Sequence, residues 1–141
     1  MRIMAIDYGD ERTGIAISDP TGLLTGFSTV IRGHRAEAVA EAIRDLAESH
    51  QVTELVLGYP KNMNNTVGPR AEKCAAFAEL LEQSTGLPVH LWDERLTTVD
   101  SHRILSETGR RGRQRKDRVD AVAASLILEG YLAFRRQSES L

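Results

Sequence analysis

One cysteine, four prolines and an aromatic content of 5% leave this 141-residue sequence short of the parts on which several protein classes depend. With Cys74 alone, no internal disulfide or thiolate cluster can form, which suits a reducing compartment. No apolar run approaches the roughly 20 residues that a membrane-spanning helix needs. Even the stretch Ala121 to Leu128 is broken by Ser125. The N-terminal residues reach Asp7 too early to supply the apolar centre of a secretion signal, so a cytoplasmic protein without membrane attachment is expected. His34, His50, His90 and His102 show no ligand spacing, which argues against zinc. A formal net charge of −2 argues against coating nucleic acid by bulk attraction.

What is present is ordinary in amount and uneven in distribution. Hydrophobic residues at 41% and charged residues at 27% describe a chain that folds. Its length fits one domain over residues 1–141, burying roughly 68–70% of its unfolded surface. The run Arg110 to Arg118 holds six basic residues, Arg110, Arg111, Arg113, Arg115, Lys116 and Arg118, against the single acid Asp117, so the remainder is acidic.

Hydrophobic periodicity orders the elements. Ile3 to Asp7 and Gly14 to Ser18 read as a β-hairpin, followed by a third strand near Phe27 to Ile31. Ala36, Val39, Ala40, Ile43, Leu46 and Ala47 then recur at helical spacing between Arg35 and His50. Leu55 to Gly58 reads as a strand. A helix begins at Pro69 and stops at Gly86 and Pro88; its stripe of Cys74, Phe77, Ala78 and Leu81 assigns Cys74 to the core. Val89 to Trp92 forms another strand ending at Asp93-Glu94, Thr97 or Thr98 can cap a helix to about Thr108, and a last helix is expected from about Asp117, before a polar tail at Arg135 to Leu141. Three strands, then alternating helices and strands, predict an α/β fold: a five-stranded mixed sheet, antiparallel meander plus parallel strands, with helices on both faces.

Acids fall at the carboxyl ends of strands, where open α/β sheets place their ligands. Asp7 ends the first strand and Asp93-Glu94 the last, while Asp117 and Asp120, three residues apart, share one helical face. Carboxylates drawn from separate segments to one point repel unless a cation joins them. Hard ions such as Mg²⁺ or Mn²⁺ prefer such oxygen ligands, and a pair of them about 3.5–4 Å apart can promote phosphodiester hydrolysis without histidine or cysteine. Plainer roles exist for each acid. Asp117 and Asp120 can complement a helix dipole, Asp7 can be a turn acid, and Glu94 can pair with Arg95 or Arg12. Asp93 and Glu94, being adjacent, point to opposite faces of a regular strand; Glu94 is favoured and Asp93 is its competitor.

Other constellations fail. Gly9 to Gly14 lacks the Lys-Ser/Thr that completes a phosphate-binding loop, and no Gly-x-Ser-x-Gly elbow exists.

Four strings in order carry a resemblance that spans nearly the whole chain. They are Asp7-Tyr8-Gly9 with Arg12-Thr13-Gly14-Ile15-Ala16 and Asp19; Gly58-Tyr59-Pro60-Lys61-Asn62-Met63 with Gly68-Pro69; Asp93-Glu94-Arg95-Leu96-Thr97-Thr98; and Val119-Asp120-Ala121-Val122-Ala123-Ala124. Together the sequence resembles the YqgF/RuvX family. That resemblance implies an RNase H-like fold, kinship with RuvC-type Holliday junction resolvases, and a metal-dependent nuclease. It implies Asp7, Glu94 and Asp120 as catalytic metal ligands for two Mg²⁺ or Mn²⁺ ions, with Asp93 and Asp117 as further candidates. The substrates it implies are the 5′ end of pre-16S ribosomal RNA or, alternatively, four-way DNA. One departure is Asn64-Asn65-Thr66-Val67, where an acidic, glycine-containing turn is expected.

Arg110, Arg111, Arg113, Arg115 and Lys116, just before the last acidic string, are candidates to hold the phosphate backbone, the plain alternative being a solvated loop. Junction resolution favours a homodimer, while RNA trimming needs only a monomer. A non-catalytic nucleic-acid-binding protein is the other reading from this fold. An ATP-binding domain of the actin and sugar-kinase type also opens with such a hairpin but requires a second glycine-rich phosphate loop, which the sequence lacks.

Overall fold

The computed structural model describes residues 2–22, 24–59, 68–93 and 112–140; for 112–120 and 138–140 it describes the backbone only. In chain order the elements are β1 (Arg2–Asp7), β2 (Arg12–Ser18), β3 (Thr25–Arg32), α1 (Ala36–Ser49), β4 (Val52–Tyr59), α2 (Pro69–Thr85), β5 (Val89–Asp93) and α3 (Gly112–Ser140). The strands form one sheet in the order β3-β2-β1-β4-β5. β2 is antiparallel to both β1 and β3, whereas β4 is parallel to both β1 and β5. The expected mixed sheet with its meander is the observed one.

β1 shows why this sheet needs cover on both sides. Ile3, Met4, Ala5 and Ile6 are each fully buried, and successive strand residues face opposite ways. Met4 and Ile6 join Ile15, Ile17, Leu55 and Leu57 under α1 and α2, whose Val39, Ile43, Phe77 and Leu81 close that layer. Ile3 and Ala5 join Ala16 and Val56 on the other face, under Ala124, Ile127, Leu128 and Leu132 of α3. Each of the larger side chains among these, the Ile, Leu, Val, Met and Phe residues, contributes roughly 1.5–3 kcal/mol when fully buried. Ser18, the buried polar residue at the end of β2, accepts a hydrogen bond from the Ile3 amide at 2.9 Å.

The termini of α2 follow the sequence signals. Pro69 stands in its first turn, and Gly86 ends it in the left-handed conformation, φ 71°, with its amide donating to the Glu82 carbonyl at 2.9 Å. The limits of α3 differ from expectation. It begins at Gly112 rather than near Asp117, so Arg113, Arg115 and Lys116 belong to its opening turns and not to a loop, and it runs through the polar tail to Ser140. Arg, Gln and Lys are strong helix formers, and no apolar period marks them, which is why periodicity placed the start too late. The helix expected up to about Thr108 lies outside the described residues, as does the Asn64 to Val67 turn. Among the described residues no helix is long and apolar enough to cross a membrane.

Candidate functional site

The parallel strands β1, β4 and β5 end at one rim of the sheet. Asp7 is the last residue of β1 and pairs with Gly14, while Asp93 is the last of β5 and pairs with Tyr59 of β4. Two inter-strand spacings separate the two acids, roughly 10 Å between backbones.

They face opposite ways. Asp7 alternates in phase with Ile3 and Ala5, which pack beneath α3. In β5 the residues on that face are His90 and Trp92, whose rings lie 5.8 and 5.9 Å from the ring of Tyr131. Asp93 instead follows Val89, which packs on the α1/α2 side. Of the sequence-predicted acids, Asp7 therefore belongs to the α3 face and Asp93 to the other. Glu94 lies outside the described residues.

The direction of α3 is fixed by its partners. Arg135 pairs with Glu54 near the beginning of β4, Tyr131 meets His90 in mid-sheet, and Gly130 lies against Trp92, which pairs with Gly58 near the end of β4. Moving toward the N-terminus of α3 thus moves toward the carboxyl rim. Asp120 stands four residues before the buried Ala124, about 6 Å further along the axis, and Asp117 three residues earlier still. The backbone around both is helical; their side chains, like those of Arg113, Arg115 and Lys116, lie outside the described residues, and so do Arg110 and Arg111 entirely. Among the described residues, no group of three or more His, Cys, Asp or Glu side chains is close enough to hold an ion. The rim donors are carboxylates, a set that fits hard cations and not soft ones.

Across the rim from Asp7, the turn after β1 carries groups that sequence spacing did not single out. Tyr8 stacks on Phe77 of α2 with ring centroids 3.8 Å apart and planes at 6°. The Lys73 ammonium lies 3.2 Å from the Asp10 carboxylate, and the Arg70 guanidinium approaches the Tyr8 carbonyl at 3.5 Å. Burial raises the Tyr8 hydroxyl above its ordinary pKa, with the Asp10 charge adding to the effect, so it stays a proton donor at neutral pH. Gly9 is required by close approach: a Cβ there would stand 2.3 Å from the Arg12 carbonyl oxygen. Nothing in the sequence linked Tyr8 and Asp10 to Arg70 and Lys73, which are some sixty residues away; the α2 stripe read only as core.

The sequence and the fold both have counterparts among known proteins. The family model for RuvX, described as Holliday junction resolvase, matches residues 1–134. A provisionally named pre-16S rRNA nuclease of Halothermothrix orenii is 44% identical over 137 residues, covering 97% of this chain and 98% of its own. A relative of the same name from Moorella thermoacetica is 46% identical over 132 residues, covering 94% of each. Among solved structures, T. thermophilus RuvC in complex with a Holliday junction substrate superposes with a TM-score of 0.63 at 12% identity, over 96% of each chain. The fowlpox virus Holliday junction resolvase gives 0.52 at 16% identity, over the full length of both. At such identities the likeness is one of fold, the RNase H-like fold expected from the sequence.

Proposed function

The chain belongs to the RuvX family, and from that membership we propose that it is a divalent-metal-dependent nuclease of one domain, acting in the cytoplasm on the 5′ end of pre-16S ribosomal RNA. The observation that carries the reading is the near full-length similarity to relatives named for that activity, joined to an acid at the carboxyl end of β1 on the face that α3 covers.

Asp7, Glu94 and Asp120 are the proposed metal ligands. Asp7 ends a strand with Ile3 and Ala5 buried on its face, so its backbone is held firmly. On β5, His90 and Trp92 take the α3 face while Asp93, in phase with Val89, takes the other, which counts against Asp93 and leaves Glu94 as the favoured ligand. The direction of α3 supports Asp120, which lies on the row of Ala124 toward the rim, while Asp117 is an accessory acid one turn away. When bound, two Mg²⁺ or Mn²⁺ ions would supply an acidified water and charge stabilisation at the scissile phosphate. The chain's own task is to hold three carboxylates ionised and oriented, and to seat the phosphate backbone beside them. Arg110, Arg111, Arg113, Arg115 and Lys116 are proposed for the second part, being grouped immediately before Asp117.

Resolution of four-way DNA junctions is the second reading, favoured by the description of the matching family, and it requires two copies acting together. The two are separated by incubating purified protein side by side with a pre-16S RNA fragment and a four-way DNA junction, each with Mg²⁺ or Mn²⁺. Trimming of the RNA is expected. Junction cutting without trimming would favour the resolvase, and binding without cleavage of either would leave a non-catalytic protein.

A further inference from the structure

On the opposite side of the rim from the proposed metal ligands, two cavities share one wall. The larger, about 330 Å³, lies between the turn after β1, the entry to α1 and the exposed flank of α2; Tyr8, Phe77 and Leu80 form its apolar part, and Asp10, His34 and Lys73 its polar part. The smaller, about 150 Å³, is lined by Gly9, Pro69 and Arg70 together with Tyr8, Asp10 and Lys73, which also line the first. Their chemistry differs. The larger combines an aromatic surface, kept rigid by the Tyr8–Phe77 stack, with a carboxylate; the smaller holds two cations beside the first turn of a 17-residue helix.

We propose that this pair of cavities binds one unpaired nucleotide of the substrate strand, with a guanine base in the larger and its phosphate against Arg70 and Lys73 in the smaller. The inference rests on the nuclease reading for its substrate class and deepens it. Its volume falls at the low end for small-ligand pockets, the scale of a single nucleoside. Unpaired bases are recognised by aromatic contact together with hydrogen bonds to their Watson–Crick edge. An ionised carboxylate only accepts, and guanine presents two adjacent donors on that edge, N1–H and the 2-amino group. Asp10 keeps acceptor capacity while paired with Lys73, because a carboxylate has about four lone-pair directions and the ammonium occupies one. Lys73 in turn has two further protons for a phosphate oxygen, and Arg70 can add a bidentate contact. Tyr8 follows Asp7 directly, so a strand passing over the rim reaches both the metal ligands and the cavity within a short path. The substrate so described has a guanine, unpaired or splayed out, beside the cut.

The test uses metal-free full-length protein, so that it needs no catalysis. Guanosine monophosphate, adenosine monophosphate and inorganic phosphate are titrated separately while backbone amide resonances of Ala76 and Leu80 are followed by NMR. Saturable shifts are expected with guanosine monophosphate, at an affinity about tenfold or more above that of the adenosine compound. Asp10→Ala, at an exposed position, should erase that preference, and Ala76→Trp should abolish binding by filling the cavity from the helix surface. No saturable shift with the guanosine compound, equal affinity for inorganic phosphate alone, or a preference unchanged in Asp10→Ala would each overturn the proposal. Should Ala76→Trp fail to fold, Asp10→Ala decides. A protein that binds the nucleotide but cuts nothing loses the nuclease and keeps the cavity; one that cuts RNA but ignores the nucleotide does the reverse.

Discussion

Gly9 and the rim acids act through single atoms. The turn between β1 and β2 closes with the Arg12 carbonyl in the space that any Cβ at position 9 would occupy. Gly9→Ala should therefore cost about 1–3 kcal/mol of folding free energy, the usual range for forcing atoms into filled space, read as a lowered urea midpoint. A larger loss of activity than of stability would mean that the turn also aims Asp7. For the acids themselves, exchange to the isosteric amide removes charge and keeps shape. Asp7→Asn and Asp120→Asn should each lower cleavage by more than about 100-fold, the upper end of what outer partners of a metal are worth, while leaving substrate binding nearly intact. Undiminished turnover in either variant would remove that residue from the mechanism.

At the level of elements, α3 does two jobs with two portions of one helix. Its middle seals the sheet through Ala124, Ile127, Leu128 and Leu132, and its first turns carry Arg113, Arg115 and Lys116. Replacing Arg110, Arg111 and Arg113 together should weaken nucleic-acid binding and flatten its salt dependence, whose slope for six phosphate contacts would be at most about −5 on a log–log plot. A slope unaltered by the triple change would assign those residues to solvent. The same helix shows where a sequence is legible and where it is not. Strands with uninterrupted Ile, Met, Ala and Leu, and helices with apolar residues every three or four positions, announce themselves; Arg-Gln-Arg-Lys does not, because its helical preference is real but leaves no apolar rhythm. Asp7 and Asp93 could be placed at strand ends from the sequence. Which of the two shares a face with α3 became clear only from Trp92 and His90 meeting Tyr131. The cavity beside Tyr8 was unreadable, since its walls come from the β1–β2 turn, the connection before α1, and α2, and each wall residue has a plain local role.

For the molecule as a whole, alkali is a revealing perturbant. Tyr8 and Tyr131 both have hydroxyls whose pKa burial raises above 10.0, so the folded protein holds these protons more tightly than the unfolded chain does. Their contribution is complete below the unfolded value and is lost as pH climbs toward the folded ones, so stability should decline over the alkaline interval that begins at about pH 10. Urea midpoints across that interval should fall less in a Tyr8→Phe, Tyr131→Phe double variant; an identical decline would place the alkaline sensitivity elsewhere. The close approach of Gly130 to Trp92, where an added Cβ would stand 3.2 Å from the indole, has one more consequence. Because this is the sole tryptophan of the chain, its emission reports whether the long C-terminal helix is seated on the sheet, and the protein thus carries an intrinsic optical gauge for the element on which Asp120 stands.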